Sequence, residues 1–263
     1  MPPVSSPGFS LARRLRSGEV VHTGWCGLPY PIVAEVVARE GFSAVTLDAQ
    51  HGLWDMTAIP AGIAQIRQAG AAALVRIPVG GYASASRALD FGAEGIIAPM
   101  INTPQDALAY VSFAKFPPVG ERSWGPHRAM MLAGITEQKA YLEEANASTV
   151  TFAMIETQTA LDNVESIAAT PGIDALFLGP SDLSIALSKG STIDPLGAEV
   201  DRAIGRITAA AQKAGKIMGA YCHSGERATA LAKRGVRFFA VASDLAFLRA
   251  GAAATLKVLR SPD

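Results

Sequence analysis

The chain has 263 residues, 49% of them hydrophobic and only 17% charged, with a mean hydropathy of +0.24. A chain this apolar can bury enough surface to offset its conformational entropy, which excludes disorder. Lys plus Arg and Asp plus Glu both number 23, and no long basic run appears, which excludes a nucleic-acid footprint. No apolar run has the length needed to span a bilayer. The opening MPPVSSPGFSLARRLRSGE lacks the apolar core of a secretory signal. Cys26 and Cys222 are too few for a disulfide framework and read as small buried side chains. The expected compartment is a reducing cytoplasm.

In chain order, the first expected element is a short helix. Ser10 is its candidate cap, Leu11 and Leu15 share one face, and Gly18 stops it. A repeating unit follows: an Ala-rich helical stretch ends in Gly, and a short apolar run comes within a few residues. It recurs at AREGFSAVTLD, RQAGAAALVRI, LDFGAEGIIAPM, ATPGIDALFLG, QKAGKIMGAY and AKRGVRFFAVAS. The runs VVHTGWCG and STVTFAMIE complete a series of eight strands. They are expected at roughly 21–25, 44–48, 73–77, 95–99, 150–155, 174–178, 217–221 and 237–241. Runs without alternation suit strands buried on both faces. Alternating strands and helices over about 250 residues predict a (β/α)8 TIM barrel, here as a single domain over 1–263. An open doubly wound sheet would carry a GxGxxG fingerprint after its first strand, and GWCGLPYP does not match it. Between strands four and five lies a long insertion. It holds an expected helix from Thr103 to Lys115, the segment KFPPVGERSWGPHRAM and a second helix from Thr136 to Glu144.

In such a barrel, chemistry sits at the C-terminal ends of the strands. Glu156 follows FAMI and Asp182 follows LFLGPS. Two carboxylates facing one point repel each other unless a cation lies between them, and oxygen ligation suits Mg2+ or Mn2+. The alternatives are an ion pair for Glu156 and helix capping for Asp182. The amides opening the helix at Gly179, Pro180, Ser181 and Asp182 offer a seat for the carboxylate of a 2-keto acid. Arg76 ends a strand with no other charge. It can stabilise an oxygen that becomes an enolate, or it can form a structural ion pair with one of the carboxylates. Asp48 and His51 stand where strand two stops. Either the Asp holds the imidazole as a base, or it is a turn residue bonding its own backbone with His51 left exposed. No lysine stands at a strand's C-terminal end, so a Schiff base is disfavoured. The loops CHSGER and ASDLAF lack a glycine-rich phosphate cradle, which favours an unphosphorylated substrate.

The ordered set LDAQHG, LVRIP, GIIAPM, FPPVGER, MIET and GPSDLS resembles the HpcH/HpaI aldolases, metal-dependent class II pyruvate aldolases. The resemblance covers nearly the whole chain. It implies Asp48 and His51 as the acid–base dyad, Arg76 as the family's arginine, and Glu156 and Asp182 as ligands of Mg2+ or Mn2+, with Co2+ a further option. It implies reversible cleavage of a 4-hydroxy-2-keto acid to pyruvate, or hydroxypyruvate, and an aldehyde, through an enolate held on the metal. Tyr221 falls where relatives shape the aldehyde pocket. The resemblance also implies a homohexamer, a trimer of dimers exchanging the last helix. Gln50 and Met154 depart from the family's usual Glu and Gln. Asp90 matches an acidic position near a neighbouring subunit's site, or is simply an Asp near a helix end. Arg122, Trp124 and His127 either cover the mouth or pack as a surface loop. Two other functions compete: a citryl- or malyl-CoA-type lyase, and a barrel that binds 2-keto acids without turnover.

Overall fold

The computed structural model describes residues 8–260. Eight parallel strands close into a barrel in sequence order: β1 Val21–Cys26, β2 Ala44–Asp48, β3 Ala72–Arg76, β4 Gly95–Ala98, β5 Val150–Ile155, β6 Ala175–Leu178, β7 Ile217–Cys222 and β8 Phe238–Val241. The expected series agrees with them to within a residue at each end. Helices follow the strands and cover the outside, as parallel connections require.

Alternate residues of each strand serve two cores. Outward residues such as Val45, Val75, Ala153 and Ile155 pack under the helices. Inward residues such as Val21, Ala44, Leu74, Phe152, Phe177 and Phe238 fill the barrel. The inward aromatic rings interlock, with Phe152 and Phe238 centroids 4.6 Å apart and Phe177 edge-on to both. Gly219 makes room for this layer, since a Cβ there would stand 2.9 Å from the Phe177 ring. The barrel is therefore a packed plug beneath a single open rim.

The helix Leu11–Arg16 closes the opposite end, with Leu11 and Leu15 buried as the spacing predicts. Its cap differs from expectation. The Ser10 side chain makes no cap bond; the Glu94 carboxylate, just before β4, accepts from the Ser10 and Leu11 N–H groups at 2.7 and 2.9 Å. Arg67 holds the same carboxylate at 2.6 Å. A full charge serves the helix end better than a hydroxyl, and Arg67 offsets its desolvation.

The insertion folds against the barrel wall. The helix Pro104–Ala114 starts with a capping box between Thr103 and Asp106, close to the expected bounds. The helix Gln138–Ser148 begins two residues later and runs four residues farther than expected, and the helix His127–Ala133 was not foreseen. Arg122 is buried, pairs with Asp90 at 2.6 Å and lies over Phe116. Trp124 packs on Phe116 and Tyr141. Within the chain these residues form a packed unit, with Asp90 at its helix end as the partner of Arg122.

The last helix, Asp244–Arg260, buries only Asp244, whose carboxylate accepts from the Gly27 and Leu28 N–H groups. Its apolar Leu248, Val258 and Leu259 are exposed. Among the described residues, no helix is long and apolar enough to cross a membrane. Glu94→Ala should lower the unfolding free energy by about 3 kcal/mol, because it removes the carboxylate that faces the buried Arg67 charge and uncaps the first helix. Urea denaturation checks this, and a loss under about 1 kcal/mol would contradict it.

Candidate active site

The inward register extends one residue past the plug and places the polar groups. On β2 the inward Ala44 and Thr46 lead to Asp48. On β3, Ala72 and Leu74 lead to Arg76, and on β5, Phe152 and Met154 lead to Glu156. Trp25 on β1, Phe177 on β6 and Tyr221 on β7 follow the same rule. They meet at the C-terminal rim around a chamber of about 150 Å3, lined by Trp25, Arg76, Met154, Phe177, Gly179, Pro180, Ser181, Asp182 and Tyr221.

Asp48 and Arg76 are cross-strand neighbours in the β2–β3 register. The Arg76 Nε and Nη2 donate to the two Asp48 oxygens at 2.8 and 2.6 Å. Trp25 Nε1 donates to the same carboxylate at 3.2 Å, and its ring lies 4.8 Å beneath the guanidinium. Burial alone would raise the Asp48 carboxyl. The Arg76 bonds and charge, with the Gln50 and His51 N–H groups, outweigh it and hold the carboxyl below its usual range. Arg76 Nη1 has no partner among the described residues, and the Arg76 side chain lines the chamber.

The Asp48–His51 pairing of side chains does not form. Asp48 Oδ1 accepts from the His51 backbone N–H at 3.3 Å and from Gln50 N at 3.0 Å, the geometry of a turn. The imidazole is exposed, makes no hydrogen bond and does not line the chamber. Asp48 braces a turn, as one alternative had it, whereas Arg76 is ion-paired to Asp48 and not to Glu156 or Asp182.

Glu156 is 2% exposed. Its Oε1 accepts from Met100 N at 2.7 Å, and Oε2 has no donor among the described residues. Gly179 leaves that side open, since a Cβ there would stand 2.5 Å from Oε2. Burial, reinforced by the Asp182 charge and opposed by Met100 N–H and Arg76, pushes the Glu156 carboxyl up to about 7. Asp182 lies in the first turn of the helix Pro180–Leu187, whose cap is Gly179, so it is not the cap. It lines the chamber and has no side-chain partner among the described residues. The Ser181 and Asp182 N–H groups open that helix and also lack acceptors among the described residues.

The donor set fits a hard divalent cation. Asp182 lines the cavity, Glu156 lies near enough for the two charges to interact, and Glu156 Oε2 and the Asp182 carboxylate have no donor among the described residues. No group of three or more His, Cys, Asp or Glu side chains among the described residues could hold a metal, so water and substrate would complete the shell. Trp25, Phe177 and Met100 were not anticipated. The inward alternation of β1 and β6 points to the first two; Met100 acts through its backbone, which leaves no mark on residue type.

A barrel with this rim is an enzyme scaffold with a site of small-metabolite size. The family model for the HpcH/HpaI aldolase/citrate lyase matches residues 24–250, and the chain belongs to that family. It is accordingly a carbon–carbon lyase. It is 38% identical over 235 residues to a hydroxypyruvate/pyruvate aldolase of Rhizorhabdus wittichii, covering 89% of this chain and 92% of that one. A 4-hydroxy-2-oxovalerate aldolase of Novosphingobium aromaticivorans is 38% identical over 218 residues, 81% of each chain. The crystal structure of a family member from Burkholderia cenocepacia superposes with a TM-score of 0.86 at 32% identity, over 96% of this chain and 99% of that one.

The Glu156 carboxyl gives a signed pH prediction. Between about 4.5 and 7 the folded state keeps a proton that the unfolded state has released, so stability falls as pH rises through that window. In chelator the total loss should be on the order of 3 kcal/mol, and Glu156→Gln should flatten it. Denaturation at a series of pH values tests this; equal slopes in the two proteins would contradict it.

Proposed function

We propose that the chamber catalyses reversible aldol cleavage of 4-hydroxy-2-keto acids to pyruvate or hydroxypyruvate and an aldehyde. One observation carries the reading. Arg76, Ser181 and Asp182 line one small chamber, with the helix amides of the last two open, and Glu156, whose Oε2 has no donor among the described residues, stands close enough to feel the Asp182 charge.

Glu156 and Asp182 would hold a divalent cation, Mg2+ or Mn2+, with Co2+ a further option. When bound, that ion supplies Lewis acidity toward the ketone oxygen. The helix N–H groups of Ser181 and Asp182 receive the substrate carboxylate. Arg76 Nη1 donates to the C2 oxygen as the electrons of the breaking C3–C4 bond move onto it, and Asp48 and Trp25 fix the guanidinium for that task. His51 accepts the C4 hydroxyl proton through water, because its imidazole lies off the chamber wall. The proton is then returned through water to C3 of the enolate, giving pyruvate, and the reverse of this second transfer deprotonates the pyruvate methyl in the synthetic direction. Trp25, Phe177, Met154 and Tyr221 form the less polar wall against which the aldehyde part rests.

The chamber lies below the roughly 300–1,000 Å3 of sites for larger ligands, which favours short keto acids over a CoA thioester. A barrel that only binds 2-keto acids would need no base at the rim. The exposed apolar side of the helix Asp244–Arg260, and the open groove of Ile32, Val33, Val36 and Phe247 beside its start, support a homohexamer built as a trimer of dimers with that helix exchanged. The proposed compartment is the cytoplasm.

Exhaustive chelation should abolish cleavage of 4-hydroxy-2-keto acids, and Mn2+, Mg2+ or Co2+ should restore it. Asp182→Ala should bind no Mn2+ by calorimetry; full activity in metal-free enzyme would refute the cation's role. His51→Ala should slow exchange of the pyruvate methyl protons with solvent by about 100-fold. Arg76→Lys, which loses the fork but keeps a charge, should slow it by roughly 100-fold as well. NMR of pyruvate in D2O reads both rates, and unchanged exchange in either variant would remove that residue from the mechanism.

A further inference from the structure

Glu156 owes its orientation to a backbone N–H from the loop after β4, and that loop is held in an unusual shape. Met100 has a φ of 55°, in the left-handed region that an unbranched side chain adopts only where its surroundings impose it. Its N–H meets Glu156 Oε1 at 2.7 Å. Two residues on, Asn102 ties this loop to the loop after β5. The Thr157 hydroxyl donates to Asn102 Oδ1, and Asn163 Nδ2 donates to the Asn102 carbonyl at 3.0 Å. Asp106 accepts from the Asn102 and Thr103 N–H groups at 3.1 and 2.9 Å. Thr157 follows Glu156 directly and also caps the helix Gln158–Asp162 through its hydroxyl. Two rungs, Met100–Glu156 and Asn102–Thr157, therefore continue the β4–β5 pairing above the end of the ladder.

We propose that Asn102 and Thr157 are positioning residues: their clip imposes the left-handed turn at Met100, whose N–H occupies Glu156 Oε1 and leaves Oε2 as the oxygen offered to the chamber. Gly179 completes the device, since any side chain there would fill the space before Oε2. This inference rests on the reading of Glu156 as a cation ligand. A partner that fixes a ligand's orientation typically changes metal affinity by about 10- to 100-fold when removed.

The test is Mn2+ titration by calorimetry on the full chain, with wild type and Glu156→Gln as references. Asn102→Ala and Thr157→Val should each weaken Mn2+ binding by about 10-fold or more. Turnover lost at limiting Mn2+ should return at saturating Mn2+, a split that general destabilisation would not produce. Met100 supplies a second arm independent of the clip. Met100→Gly, free to adopt a positive φ, should stay within about 3-fold of wild type, whereas β-branched Met100→Val should weaken binding like Asn102→Ala. Wild-type affinity in both Asn102→Ala and Met100→Val, with binding lost in Glu156→Gln, would overturn the inference and leave the ligand role intact. Equal Mn2+ binding by wild type and Glu156→Gln would instead overturn the ligand role and the positioning role together.

Discussion

A strand in a closed barrel has no free choice of side: every second residue points at the axis. That constraint organises the molecule. The inward set starts at the first helix, passes through the Phe152, Phe177 and Phe238 layer, and reaches its last step at Trp25, Asp48, Arg76, Glu156 and Tyr221. Below that step the inward positions face other side chains, apolar except where the buried Thr23 and Thr46 hydroxyls bond each other. At that step the barrel opens, so charge can be accommodated. The site is the place where the packing rule of the core runs out.

Charges placed there still have to be paired, because Asp48, Arg76 and Glu156 are all buried. The two acids at the rim meet that demand in opposite ways. Asp48 is fully committed to Arg76, Trp25 and its own turn, and its carboxyl is held low. Glu156 has one backbone donor and a neighbouring acid, and its carboxyl is pushed up to about 7. One carboxylate builds the scaffold of the rim; the other stays under-satisfied and calls for a cation. The family to which the chain belongs breaks and makes carbon–carbon bonds, and an oxygen that gains charge between a cation and an arginine suits that chemistry.

The barrel was legible because its signals are local. Apolar runs without alternation and a Gly after each helix recur at intervals that only a parallel sheet explains, and the strand ends then pointed to Arg76, Glu156 and Asp182. Partnership was harder to read. Asp48 and His51, three residues apart, suggested a local pair, yet the β2–β3 register sets Asp48 beside Arg76, twenty-eight residues away, and a bidentate guanidinium outcompetes an imidazole beyond the strand end. Ser10 lost its cap role to Glu94 for the same reason, a charged group brought in from far along the chain. The helix His127–Ala133 was missed because it is short and its start carries no polar cap, although Gly134 at φ 70° marks its end. The role of Met100 is conformational and cannot be read from residue type.

The most direct measurement is a crystal structure with Mn2+ and pyruvate, with the ion located by its anomalous signal. The account predicts one Mn2+ about 2.1 Å from a carboxylate oxygen of Glu156 and of Asp182, with the keto acid between the ion and Arg76. An ion bound elsewhere, or pyruvate seated away from that rim, would contradict it.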